Sequence, residues 1–159
     1  LLVGQTLHTT APEVYRALVE ATAYGARRII ERFEEYGVKV DRIVNCGGIA
    51  EKNPMVMQIY ADVTGRPIEI AASAQACALG AAIFGPAVAG KAHPDTLTAQ
   101  AKMAGVKPIR FDPVPGNVAV YDRLYGVYLD LHDAFGKTGR TPDLSEAMKT
   151  LIEIRRAAR

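Results

Sequence analysis

The sequence predicts an α/β fold, and three observations carry that prediction. Apolar residues recur at helical spacing from Val14 to Phe33, one stripe on a helix of about 25 residues. The run around Ile43-Val44 then stops at Gly47-Gly48, as a strand bounded by a turn does. Beyond it, helical and strand patterns alternate, an order that argues for parallel strands joined by a crossover.

The elements follow in order. Residues 1–10, LLVGQTLHTT, are a short apolar start running into a polar turn. Thr10-Ala-Pro-Glu13 has capping-box spacing, and Pro12 fits a first helical turn, where its missing N–H costs little. Val14, Leu18, Ala21, Gly25, Ile29 and Phe33 form the stripe of this first helix, and Gly37 suits a left-handed cap at its end. Val38 to Cys46 reads as a strand. Pro54 to Thr64 reads as a helix closed by Gly65, with Met55, Ile59 and Val63 four apart. Pro67-Ile-Glu-Ile70 is a second strand. Ser73 can cap the helix that follows, AQACALGAAIFG, whose Gly80, Ala81 and Gly85 would allow a close approach by another backbone or a ligand.

After Gly90 the pattern reads as helical only. A helix is expected over Pro94 to Ala104, a proline-rich extended stretch over Lys107 to Gly116, a helix over Asn117 to Phe135, and a last polar helix over Asp143 to Ala158. Tyr121, Tyr125, Tyr128, His132 and Phe135 form an aromatic stripe, either a packing face or a sugar-stacking platform. Asp62, one turn before Gly65, reads as a surface or capping carboxylate. Two strands do not make a finished sheet, and no strand precedes the long first helix. Because the chain also starts at Leu1 rather than Met, it is expected to be part of a larger polypeptide.

Composition bounds the function. The 159 residues suit one ordinary domain with a real core. A hydrophobic fraction of 49% with 23% charged residues argues against a disordered chain. No apolar run approaches the ~18 residues of a membrane helix, and no secretory leader is apparent at Leu1. The net charge is +2, with local basicity only at Arg155, Arg156 and Arg159, so a nucleic-acid partner is not expected. Cys46 and Cys77 make no disulfide framework, and with His8, His93 and His132 they show no metal-ligand spacing. They read as small buried thiols or, alternatively, as a redox pair, and the expected location is the cytoplasm.

The chemistry-bearing segment is CGGIAEKNP, Cys46 to Pro54, between a strand and a helix. In an α/β sheet, ligands bind outside the carboxyl ends of the strands. Gly47 and Gly48 carry no side chain, so a flat base or a phosphate can lie against the backbone. Asn53 can hydrogen-bond a base edge, and Lys52 can reach a phosphate or solvent. The residues alone also fit a plain strand-to-helix turn. The spacing is not G-x-G-x-x-G, and no G-x-x-x-x-G-K-[ST] occurs, so neither a Rossmann dinucleotide site nor a P-loop is present.

With MVMQIYADVTG after it and SAQACALGAAIFG beyond, this loop resembles the second half of the FGGY carbohydrate kinases, members of the actin/hexokinase/heat-shock-chaperone ATPase superfamily. LLVGQTLHTT, YRALVEATAYGARRIIERFEEYGV and CALGAAIFG narrow the resemblance to those members that phosphorylate L-ribulose. It is clearest from Leu1 to Ala104. The resemblance implies a partial actin-like, ribonuclease-H-like C-terminal lobe, with an adenine-nucleotide-binding α/β part over 1–90 and a helical extension over 91–159. It also implies a missing N-terminal sugar-binding lobe.

Further, the resemblance implies ATP and Mg²⁺ as cofactors, and transfer of the γ-phosphate to the 5-hydroxyl of L-ribulose in arabinose breakdown. Gly47 and Gly48 would pass under the adenine, ribose or α-phosphate, and Asn53 would touch the adenine edge. Gly80 and Ala81 would form a close-packed contact where two lobes hinge. Gln75 stands where related kinases often carry Glu. No catalytic residue or metal ligand is assigned in this chain, because the Asp-x-Gly-Thr and Gly-Thr phosphate loops are absent and no aspartate matches the catalytic base. The chain alone is therefore expected to be inactive. The alternatives are a kinase for another pentulose or polyol, or a non-catalytic actin-like nucleotide-binding module. A homo-oligomer is compatible with either.

Overall fold

The computed structural model describes residues 1–89, 93–139 and 141–158. The expected boundary at residues 90–91 and Arg159 of the basic tail lie outside these. In chain order the elements are α1 (Ala11–Glu35), β1 (Ile43–Asn45), α2 (Gly48–Lys52), α3 (Pro54–Thr64), β2 (Ile68–Ala71), α4 (Ala76–Ala89), α5 (Thr96–Met103), β3 (Val106–Phe111), α6 (Pro115–Gly136) and α7 (Ala147–Ala157). They form two compact units that interleave along the sequence. One comprises Leu1–Val38, Asp62–Gly65 and Pro113–Arg159, the other Lys39–Ala61 and Arg66–Asp112.

In the first unit, α1 starts at the expected capping box: the Thr10 N–H donates to Glu13 Oε2 at 2.7 Å. It ends at Gly37, whose φ of 80° is the left-handed cap foreseen, with its N–H donating to the Glu34 carbonyl at 2.9 Å. The apolar stripe, however, does not turn inward. Leu18, Ile29 and Phe33 are all more than half exposed, while Ala23 and Tyr24 are buried. The inward face is the one carrying tyrosine and arginine, because its partner α6 presents tyrosines.

Tyr121, Tyr125 and Tyr128 of α6 pack around Tyr24 with ring centroids 6.3, 6.0 and 5.4 Å away. The aromatic stripe is thus a packing face, although Phe135 at its end stays exposed. Polar groups ring the cluster. The Tyr121 hydroxyl donates to Glu20 at 2.9 Å and accepts from Arg16 at 3.1 Å. Arg27 lies 4.2 Å over the Tyr125 ring and donates to Asp122 at 2.6 Å and to the Val63 carbonyl at 3.0 Å. That last bond satisfies a carbonyl in the final turn of α3, which has no partner within its own helix.

In the second unit the strands lie in the order β1-β2-β3. β1 and β2 are parallel, with Ile43 opposite Ile68 and Asn45 opposite Ile70, as the alternating pattern predicts. Side chains alternate along a strand, so Ile43, Asn45, Ile68 and Ile70 share one face. Ile68 and Ile70 are buried there, and Asn45 Nδ2 lies 3.3 Å from Met57 Sδ, which places α3 on that face. Val56, Met57 and Ile59 of α3 are buried as well.

The expectation of helices alone after residue 90 is corrected by β3. It pairs antiparallel to β2, with Ile68 opposite Phe111 and Ala71 opposite Val106. Pro108 cannot donate to a ladder, but β3 is an edge strand, where proline is tolerated. A cleft of about 810 Å³ opens on the other side of the sheet, where Val44, Ala71 and Val106 meet Gly80 and Phe84 of α4 and Leu97 of α5.

Candidate functional site

Parallel pairing sets the place. Because Asn45 stands beside Ile70, the chain leaves β1 and β2 at the same edge of the sheet, at Cys46-Gly47 and at Ala72-Ser73. This is the carboxyl edge, where ligands of α/β sheets bind. The two exits are built differently. After β2, the Ser73 hydroxyl accepts the Gln75 N–H at 3.2 Å, and α4 follows at Ala76. After β1, Gly47 turns the chain with φ 90° and ψ 174°, a left-handed conformation that a side chain rarely adopts.

Gly48 then opens α2, a five-residue helix that the sequence did not signal. A Cβ atom at Gly47 or Gly48 would meet nothing within 4 Å, so the space beside this backbone is open. A flat ring can therefore approach both peptide units without displacing any side chain.

Asn53 sits between two helices. Its N–H closes α2 by donating to the Ile49 carbonyl at 3.0 Å. Its Oδ1 accepts the Val56 N–H at 3.2 Å, the usual service of an asparagine to the helix that follows. With Oδ1 engaged, Nδ2 is the atom left to offer a ligand, and it has no hydrogen bond among the described residues. The loop thus presents open backbone at Gly47-Gly48 and an amide donor at Asn53, joined by α2. Lys52 points to solvent.

The site's support comes from β3. Lys107 Nζ donates to Glu51 Oε1 at 2.9 Å, tying α2 to the sheet. Nothing in the linear sequence signals this pair, because its members are 56 residues apart. Arg42 and Glu69 pair across β1 and β2 on the opposite sheet face.

Two other expectations are corrected or refined, for the two cysteines and for Asp62. Cys46 and Cys77 are both exposed rather than buried: one lies in the loop at the strand edge, the other in the first turn of α4. A Cβ at Gly80 would meet nothing within 4 Å; Gly80 lines the cleft, and Ala81 is exposed. Asp62 is a capping carboxylate, but a buried one at 2% exposure, and it takes the N–H that precedes α6. Among the described residues no group of three or more His, Cys, Asp or Glu could hold a metal ion, and no helix is long and apolar enough to cross a membrane.

A family model described as "FGGY family of carbohydrate kinases, C-terminal domain" matches residues 1–89. Over its whole length the chain is 48% identical to a ribulokinase from Geobacillus thermodenitrificans (strain NG80-2), of which it covers 28%. It is 52% identical to a ribulokinase from Mycolicibacterium smegmatis, covering 98% of this chain and 27% of that one. The chain therefore spans little more than a quarter of the curated relatives it matches.

Among solved structures, xylulose kinase from Rhodospirillum rubrum aligns with a TM-score of 0.68 and 28% identity, over 83% of this chain and 26% of that one. Gluconate kinase from Lactobacillus acidophilus aligns with a TM-score of 0.69 over 86% of this chain and 27% of that one; at 23% identity it speaks for the fold alone. The α/β class and the partial actin-like lobe are those of these kinases. With more than half of its residues matched by one family model, and with the open glycine loop at the carboxyl edge of its parallel strands, the chain belongs to the FGGY family of carbohydrate kinases, in its C-terminal domain.

Proposed function

We propose that this chain is the nucleotide-binding C-terminal part of an ATP-dependent kinase that phosphorylates the 5-hydroxyl of L-ribulose, as the first step on that sugar in arabinose breakdown. The observation that carries the reading is identity of 48% across the entire chain to a ribulokinase. A nucleotide-binding part over 1–90 is supported by a family match that ends at residue 89, while the stretch over 91–159, expected as a helical extension, contributes β3 to the sheet of that part before its helices resume.

In this reading the adenosine lies over Gly47-Gly48. The open backbone there fits a flat ring, and Asn53 Nδ2 can donate to a ring nitrogen of adenine, since Oδ1 is held by the Val56 amide. ATP supplies the phosphoryl group when bound. What this chain does is hold and orient the nucleoside end, and orientation is a large part of phosphoryl-transfer catalysis. In this reading the metal's ligands, the phosphate loops and the base that takes the sugar's proton are assigned to the part of the relatives' length that lies outside this chain. The cytoplasm is the compartment where ATP and a free sugar meet.

The test is a coupled ADP-release assay on the full-length enzyme and on residues 1–159 alone. We expect ribulose-dependent release from the former and none from the latter. D-Xylulose or a polyol outperforming L-ribulose would move the reading to another acceptor, a possibility favoured by the structural likeness to a xylulose kinase. ADP binding without turnover on any sugar would leave a nucleotide-binding module.

A further inference from the structure

We propose that the Glu51–Lys107 ion pair is a positioning device for the nucleotide loop, setting nucleotide affinity rather than turnover; the inference rests on the reading of Gly47-Gly48 as the nucleotide site. The argument begins with α2. Its five residues are far fewer than the ~12–15 an isolated helix needs to persist in water. Yet both groups offered to the nucleotide depend on it, since Gly47 immediately precedes α2 and Asn53 ends it. Whatever holds α2 holds the spacing between them.

Glu51 is the residue through which α2 is held on two sides. Its N–H donates to the Gly47 carbonyl at 3.2 Å, while its carboxylate takes Lys107 Nζ at 2.9 Å. The side chains are 18% and 33% exposed, so the pair is partly shielded from water and from salt. Lys107 stands on β3, β3 pairs with β2, and β2 pairs with β1, whose chain runs into Gly47. The ion pair therefore closes a ring from β1 through the loop and α2 to β3 and back across the sheet. Opening that ring leaves the strands paired but frees α2 to sample other placements. Apparent affinity then falls by the fraction of time the loop is competent to bind. The pair is engaged with itself and assigned no contact with the phosphates in this reading, so the chemical step should be untouched.

The experiment uses the full-length enzyme with Lys107→Gln, Glu51→Gln, the conservative Lys107→Arg, and the exchanged pair Glu51→Lys/Lys107→Glu. Both KM for ATP and the calorimetric Kd for ADP are expected to rise about two- to fivefold in each glutamine variant, the range of a partly exposed ion pair. In the same variants kcat and the KM for sugar should stay at the unmodified values. Lys107→Arg is expected to restore most of the affinity and the exchanged pair part of it, a rescue that general loss of packing would not show. If the unmodified enzyme works while the glutamine variants bind ADP normally, or lose kcat at constant KM for ATP, this inference is overturned and the nucleotide reading stands. If the unmodified enzyme binds no ADP, both fall together.

Discussion

The carboxylate of Asp62, in the last turn of α3, accepts the backbone N–H of Val114 at 2.8 Å and the side-chain amide of Asn117 at 2.8 Å. Val114 precedes α6 and has no capping side chain of its own. A residue 52 positions away thus takes the N–H that a local capping box would otherwise satisfy.

Removing that carboxylate should therefore weaken α6. Asp62→Ala removes two part-buried hydrogen bonds, at a cost of about 1–2 kcal/mol; Asp62→Asn, which keeps one acceptor oxygen, should cost less. Urea unfolding of the two variants checks the order. Equal stability of Asp62→Ala and the unmodified protein would show that the cap is idle.

Tyr24 calls for the opposite outcome. It is buried among three tyrosines, and its hydroxyl has no hydrogen-bond partner among the described residues. An unsatisfied buried hydroxyl opposes folding, so Tyr24→Phe should raise stability by about 1 kcal/mol. Tyr121→Phe, which deletes bonds to Arg16 and Glu20, should lower it by about 1–2 kcal/mol. Thermal unfolding of both variants reads the contrast in sign.

The two glycines of the loop should behave differently. Alanine at Gly47 is strained by a φ of 90°, at about 1–2 kcal/mol, with or without ligand. Gly48 has helical surroundings and open space, so Gly48→Ala should leave stability unchanged or raise it by up to about 1 kcal/mol. If adenine lies on this backbone, the same methyl should weaken ADP binding about tenfold. Calorimetry on a stable Gly48→Ala protein that binds ADP normally would remove the nucleotide from this surface.

The tyrosine cluster predicts an alkaline limit. Burial, offset in part by the Arg16 hydrogen bond and reinforced by Glu20, pushes Tyr121 up to about 12, from an ordinary tyrosine value of about 10. Burial and the Glu31 hydrogen bond also raise Tyr125. Protons are held more tightly in the folded state, so this contribution is complete below about pH 10 and is lost as pH rises through about 12. Phenolate absorbance should thus lag behind that of free tyrosine and rise together with unfolding. Ionisation of all seven tyrosines near pH 10 in folded protein would contradict it.

Cys46 and Cys77 should react with a thiol reagent in the native protein without denaturant, since both are exposed. Protection of either one would mean that something covers the carboxyl edge of the sheet.

Local signals were legible in the amino-acid order because their physics is local. The capping box at Thr10, the left-handed glycine after α1, the run of α3 from Pro54 to Thr64 and the glycine loop after β1 depend on neighbours within a few residues. The family could be read for the same reason, since its motifs are contiguous strings. The face of α1 that turns inward could not. Its apolar stripe is the stronger pattern, yet α6 offers tyrosines and Asp122 to the side bearing Tyr24 and Arg27. β3 was hidden by Pro108, which is tolerated only because the strand lies at an edge. α2 is too short to leave a periodic trace. Above all, the partners of Asp62 and Glu51 lie 52 and 56 residues away. Residue order alone settled the long helices, β1, β2 and where the open glycines stand. Which carboxylate caps which helix, and what braces the loop, only the folded chain decided, because a hydrogen bond or an ion pair depends on distance in space and not on separation in sequence.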